Sequence, residues 1–244
     1  MIKLLRNATH QNSICLYSFN LINSSFYRKT TYDKSSLCYI ENEIKGWQWY
    51  EKTNKSISNS ILNHKLFSNF GLVDIKKING QIHPTWKGYT PQSKKTIVLA
   101  VEHYFRIWKK EHTHLYPIHG DLSLDNIIVN NNEITFIDWE HFQTKATPFW
   151  HDIFYLLFET FWCTFRKNNK ICVDSLMFIK KTVQSMHNKK QLDSTYLKAP
   201  LKTTINIVKQ LWDESDTSIR INNKFPILNF SNSEILEIDT FIKK

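Results

Sequence analysis

Apolar and polar positions along the first third of the chain switch between two periods. SICLYSF and SSFYRKTTY, rich in aromatic and β-branched residues and separated by Asn-Leu-Ile-Asn, read as two strands. In LCYIENEIKGWQWYEK the period lengthens, because Ile40, Ile44 and Trp47 fall at i, i+4 and i+7 and share one face of a helix. LVDIKKI and QIHPTW then flank Asn79-Gly80, a dipeptide suited to the positive φ angles of a tight turn, which predicts a β-hairpin. The order expected here is strand, strand, helix, strand, strand.

A polar stretch, KGYTPQSKK, follows, and beyond it Ile97, Val101, Tyr104 and Trp108 again repeat at helical spacing. The join between a small mixed lobe, residues 1–90, and a larger helical lobe, residues 91–244, is therefore expected near 86–93. NIIV and ITFID are short apolar strands joined by Asn130-Asn131-Asn132, residues that tolerate turn conformations. Helices are predicted near 149–166, 171–190, 201–213 and 232–242, the last opening on Ser231 and Glu234 at capping-box spacing. The fold class expected is α+β.

Composition narrows the function classes. A chain of 244 residues with eight Trp and sixteen Phe can bury a substantial core, which argues against disorder. The most apolar run, Pro148 to Phe165, falls short of the roughly 20 residues that cross a bilayer and carries Asp152 and Glu159, so a buried helix and no transmembrane segment are expected. MIKLLRNATHQNS lacks the apolar centre and cleavage site of a signal peptide, and a cytoplasmic location is expected. Cys15, Cys38, Cys163 and Cys172 show neither CxxC pairing nor zinc-like spacing to His and read as reduced thiols. The net charge is +10, but the lysines are scattered in pairs such as Lys76-Lys77 and Lys189-Lys190 that suit a solvated surface, so no nucleic-acid partner is expected.

The chemistry concentrates in HGDLSLDNIIVNNNEITFIDWEHF, His119 to Phe142. In an antiparallel hairpin the start of the first strand lies beside the end of the second, so Asn126 and Asp138 belong at one end. Their oxygens suit Mg²⁺, which takes one or two protein ligands and fills its other sites with phosphate and water. Asp121, five residues before Asn126, can orient a substrate hydroxyl or accept its proton. A base, two metal ligands and a bound nucleotide are the parts of a phosphoryl-transfer site.

His119-Gly120-Asp121, the five-residue step to Asn126 and the run Ile137-Asp138-Trp139-Glu140 resemble the aminoglycoside phosphotransferase and choline kinase family. The resemblance implies a two-lobed protein-kinase-like fold, with Asp121 catalytic, Asn126 and Asp138 holding metal, and His119 organising the loop. It implies ATP and Mg²⁺ as cofactors and a small-molecule hydroxyl as acceptor: a sugar, an amino alcohol such as choline, or an aminoglycoside. Gly120 stands where protein kinases have Arg, Trp139-Glu140 where they have Phe-Gly, and no Ala-Pro-Glu follows, which favours a small molecule over a protein substrate.

The family also carries a nucleotide-binding Lys on the third strand, paired with a helix Glu. Lys29 in FYRKTTY is the candidate, with Glu43 as partner because it flanks the Ile40, Ile44 and Trp47 face while Glu41 points aside. Asp152 matches a residue that braces the catalytic loop, and residues 149–213 are expected to line the acceptor site. The loop Asn7 to Ser13, NATHQNS, stands where the family covers phosphate but contains no Gly. That leaves a second reading open, a catalytically silent kinase-like protein that binds a nucleotide or a partner.

Overall fold

The structure is a computed structural model that describes residues 2–6, 14–20, 25–108, 116–189, 192, 198–213 and 225–243. The loop Asn7–Ser13 lies outside the described residues, as does most of the Asn-Leu-Ile-Asn connection. By internal contacts the chain forms two compact units. The first comprises Met1–Asn79, Pro117–Gly120 and Ile137–Thr144; the second comprises Gly80–Tyr116, Asp121–Phe136 and Lys145–Lys244.

The first unit is built on an antiparallel sheet of order β1-β2-β3-β5-β4. Its strands are β1 (Ile2–Arg6), β2 (Cys15–Asn20), β3 (Ser25–Thr31), β4 (Ile61–Leu66) and β5 (Gly71–Lys76). Lys29 sits in β3 opposite Leu16 of β2 and Val73 of β5. Helix α1 (Leu37–Thr53) packs on the sheet through the apolar face read from its spacing, with Ile40, Ile44, Trp47 and Tyr50 all buried. Trp139 then seats against α1. Its ring lies 6.4 Å from Trp47 and 5.0 Å from Tyr50, and a Cβ built on Gly46 would stand 2.5 Å from Trp139 Cβ. Gly46 is the residue that lets this indole approach the helix.

Two features of this unit differ from the sequence expectation. Strands β1 and β4 were not expected; both are edge strands, exposed at most positions, so they carry little of the apolar alternation that marks a strand. The hairpin expected at Asn79-Gly80 does not form. Both edges of β5 are occupied by β3 and β4, and β6 (Gln81–Ile82) pairs with β8 instead. Gly80 is needed there for close approach, since a Cβ would meet Ile128 Cγ2 at 2.4 Å and Val129 O at 2.7 Å.

In the second unit β6 joins β8 (Ile127–Asn130) and β9 (Glu133–Phe136), with Ile127 opposite Phe136. The intervening Asn131 and Asn132 have φ of 48° and 67°, the left-handed region that Asn tolerates in turns. Two short strands, β7 (Tyr116–Ile118) and β10 (Gln143–Thr147), flank this hairpin in sequence. Helix α2 (Pro91–Ile107) opens on a capping box in which Ser93 N donates to Thr90 Oγ1 at 3.1 Å and Thr90 N to Ser93 Oγ at 2.6 Å. Helix α3 (His151–Asn168) is buried on nearly every face from His151 to Phe161, as its all-round apolar sequence requires, and packs on α2, α4 (Val173–Asn188) and α5 (Pro200–Asp213). Helix α6 (Asn232–Lys243) covers α4 and α5 and starts on the expected box: Ser231 N donates to Glu234 Oε2 at 2.7 Å, and Glu234 N to Ser231 Oγ at 3.3 Å. Among the described residues no helix is long and apolar enough to cross a membrane, and the four cysteines are free thiols.

Gly46→Ala sets two effects in opposition. Alanine improves helix propensity by about 1 kcal/mol, whereas forcing a methyl into the Trp139 contact costs about 1–3 kcal/mol. Because the approach distance is far inside contact, the clash should win, and urea denaturation should show a lower midpoint. An unchanged or higher midpoint would mean that Trp139 does not seat against α1.

Candidate active site

In the first unit the site is organised by one buried cation. Lys29 is 5 % exposed, and its Nζ lies 2.7 Å from Glu43 Oε2, 2.5 Å from Asp138 Oδ1 and 3.1 Å from Glu140 Oε1. Burial opposes the charge on Lys29, but Asp138, Glu140 and Glu43 outweigh it and hold the ammonium above its ordinary pKa. Glu43 is wholly buried and takes a second bond from Trp47 Nε1 at 2.9 Å, one helical turn on. Burial pushes its carboxyl up to about 7 against the pull of Lys29. Glu41, on the same helix, instead reaches Lys45 at 3.5 Å on the surface. The structure therefore joins Lys29 to Glu43 and leaves Glu41 out.

Asp138 is set differently from its partners. Its φ is 65°, a left-handed conformation uncommon outside glycine, and its side chain keeps 35 % of its surface exposed while Lys29 keeps 6 % and Glu140 4 %. Burial raises its affinity for a proton, but Lys29 and then Arg6 pull harder, and the carboxyl stays below its ordinary range, ionised and partly open. Two neighbours hold the preceding backbone. His119 Nε2 donates to Ile137 O at 2.9 Å, and the imidazole packs 4.4 Å from the Trp139 ring. Burial lowers His119 to about 4, so it acts as a neutral donor that shapes the loop. Gly120, at φ 84°, leaves room for His141 O, which a Cβ would meet at 2.3 Å, so the Arg that protein kinases carry there has no space.

In the second unit Asp121 opens the loop before β8. Its carbonyl accepts from Ser123 N at 2.9 Å and from Asn126 Nδ2 at 2.7 Å, so the amide of Asn126 is turned with Oδ1 as its remaining acceptor. Asn126 immediately precedes β8, and Asp138 follows β9 by two residues. Among the described residues no group of three or more His, Cys, Asp and Glu is arranged to hold a metal ion. A carboxylate and an amide oxygen are hard donors and fit an ion that needs only one or two protein ligands. Asp152 is buried at the start of α3, where Tyr104 Oη approaches its Oδ2 at 3.4 Å.

Two residues that sequence reasoning did not single out stand beside Asp121. The Tyr155 hydroxyl donates to the Asp121 carboxylate. One turn further along α3, Glu159 is buried, accepts a bond from the backbone N–H of Ile227, and has no hydrogen-bond partner for Oε2 among the described residues. Burial first, then Asp121, pushes Glu159 up to about 8. The available signal was a carboxylate at i+4 from a Tyr on an otherwise apolar helix.

Residues 92–169 match the model of the phosphotransferase enzyme family. The fold is that of protein-kinase-like phosphotransferases. A thermostable mutant of an aminoglycoside phosphotransferase, solved with ADP and hygromycin B, is 8 % identical and superposes with a TM-score of 0.57 over 99 % of this chain and 94 % of its own. An amicoumacin kinase in complex with AMP-PNP and Ca²⁺ is 13 % identical, with a TM-score of 0.54 over 99 % of this chain and 87 % of its own. The Plasmodium vivax ethanolamine kinase is also 13 % identical, with a TM-score of 0.51 over 100 % of this chain and 80 % of its own. No curated protein matches the chain by sequence.

The state of Glu159 sets a pH dependence. With a folded pKa near 8 against 4.5 in the unfolded chain, the native state holds a proton that the unfolded state has released between those values. The contribution of Glu159 is thus fully present below pH 4.5 and is lost as pH rises through 8. Glu159→Gln lacks this loss, so across the window its stability relative to wild type should improve by up to about 1.4 kcal/mol per pH unit. Denaturant unfolding of both proteins at several pH values tests this; a difference independent of pH would show that Glu159 is ionised in the fold.

Proposed function

We propose that the protein is an ATP-dependent small-molecule kinase that moves the γ-phosphate to a hydroxyl of its acceptor. The observation that carries the reading is the contact of Lys29 with both Glu43 and Asp138, which ties a strand cation, a helix carboxylate and the residue after the β8–β9 hairpin into one cluster. In this reading Lys29, fixed by Glu43, grips nucleotide phosphates. Asp138 and Asn126 supply the oxygens for Mg²⁺, which when bound neutralises phosphate charge. Asp121, steadied by Tyr155, orients the acceptor hydroxyl and takes up its proton. Positioning and charge neutralisation then provide most of the acceleration.

The acceptor is most consistent with an amine-bearing alcohol. Asp121 and Asp125 both act electrostatically on the protonated Glu159, so the second unit gathers two acidic groups here that favour a cation over a neutral sugar. The similar proteins named for ethanolamine, or bound to hygromycin B, support the same choice. The catalytically silent alternative predicts nucleotide binding without turnover.

Purified protein assayed with Mg-ATP against amino alcohols, aminoglycosides and sugars separates these readings. Asp121→Asn should lower phosphate transfer by about 10²- to 10⁴-fold while unfolding as wild type does. Near-normal turnover by the folded variant would remove Asp121 from the chemistry.

The nucleotide clamp has its own test in kcat/KM for ATP, compared between variants as free energies. Lys29→Ala should be the most damaging. Glu43→Gln should cost less, since the Lys remains but is poorly held, and Glu41→Gln, whose partner is the surface Lys45, should be nearly silent. A harmless Lys29→Ala would dismantle the clamp.

A further inference from the structure

We infer that Arg6 is a second cation of the nucleotide clamp and reaches the phosphates of ATP from the end of β1; the inference rests on the phosphotransferase reading above. Three observations in the first unit lead to it. The first is backbone geometry. Leu4 is opposite Tyr17 and Arg6 opposite Leu16, so the β1–β2 register shifts by a bulge between Leu4 and Arg6. Bulges turn a strand and re-aim the side chain beside them. This one falls immediately before Arg6, the last residue of β1.

The second observation is what Arg6 touches. Its Nη2 lies 2.5 Å from Glu140 Oε1, the same oxygen that stands 3.1 Å from Lys29 Nζ. One carboxylate oxygen therefore draws the guanidinium and the ammonium together. Arg6 is also acted on by Asp138 and Glu43, so it belongs to the same charge cluster as Lys29.

The third is spare bonding capacity. A guanidinium has five N–H donors in a fixed fork that matches phosphate oxygens. Arg6 Nε is buried and has no hydrogen-bond partner among the described residues, while the side chain as a whole remains 35 % exposed. A guanidinium with one donor unfilled and a third of its side chain exposed can turn toward an incoming polyanion.

Charge balance gives the reason for a second cation. Lys29 alone faces three carboxylates, Glu43, Asp138 and Glu140, so its charge is already more than compensated. A nucleotide polyphosphate brings further negative charge into this cluster. Arg6, already drawn into this cluster, supplies a second positive charge, exchanging part of its Glu140 contact for phosphate oxygens.

Calorimetric titration of ATP, ADP and adenosine, with Mg²⁺ present, into the full chain tests the inference. Arg6→Gln should weaken ATP by about tenfold and ADP measurably, leave adenosine unchanged, and be partly rescued by Arg6→Lys. The series ATP, ADP and adenosine separates a phosphate contact from a brace, because a brace affects all three ligands alike. A loss in Arg6→Gln that is largest for ATP and absent for adenosine supports the inference. A loss in Arg6→Gln that is the same for adenosine as for ATP overturns it. A wild type that prefers ATP to adenosine, with that preference intact in Arg6→Gln, removes the inference and spares the kinase reading. A wild type with no preference for ATP removes both.

Discussion

A lysine ammonium withdrawn from water must be paired, and the first unit is arranged around that constraint. Lys29 lies in β3, Glu43 in α1, and Asp138 and Glu140 in the segment that follows β9. Removing a charge from water costs several kcal/mol unless oxygens surround it. Each of these distant stretches must therefore be in place for the cation to be tolerated. The same constraint works on Glu43, which is wholly buried and would be untenable without Lys29 and the indole N–H of Trp47. Sheet, helix and motif segment are thus coupled by charge as well as by apolar packing.

Packing then decides where Asp138 points. Trp139, the next residue, is locked against α1 by the space that Gly46 leaves, and His119 ties the carbonyl of Ile137 from the other side. Held at both neighbours, Asp138 keeps a left-handed backbone that an unconstrained aspartate would seldom adopt. The result is a carboxylate with one oxygen on Lys29 and a third of its surface open. That combination suits a residue meant to meet a ligand, whereas Glu43 and Glu140, both closed off, suit the holding of cations.

The sequence disclosed what depends on short-range pattern and hid what depends on pairing between distant stretches. The apolar face of α1, the capping box at Ser231 and the burial of α3 follow from local pattern alone, because a helix makes most of its contacts within a few residues along the chain. Lys29 was legible through the family resemblance, and Glu43 because a carboxylate flanking an apolar stripe needs a partner. Edge strands β1 and β4 were not, since exposed strands have no reason to alternate. The Asn79-Gly80 turn misled for a related reason: its glycine serves close approach to β8, and no local pattern distinguishes that from a turn. Tyr155 and Glu159 were hidden inside a helix whose apolar content reads only as core.

That contrast accounts for how the likenesses fall along the chain. The family model matches 92–169, whereas the structural likeness extends over 99 % of the chain at identities as low as 8 %. Within the matched span the loop from Asp121 to Asn126 turns back on its own carbonyl through Asn126 Nδ2 and Ser123 N, a geometry that only certain residues at fixed steps can make. The sheet unit is subject to no such fixed spacing. Its strands need only a buried face, and its buried ion pair needs one lysine and one acidic residue brought together by folding, at whatever separation the connecting segments provide. A site assembled in this way sets no fixed sequence separation between its charges, so a match along the sequence has little to follow there while the fold itself remains recognisable.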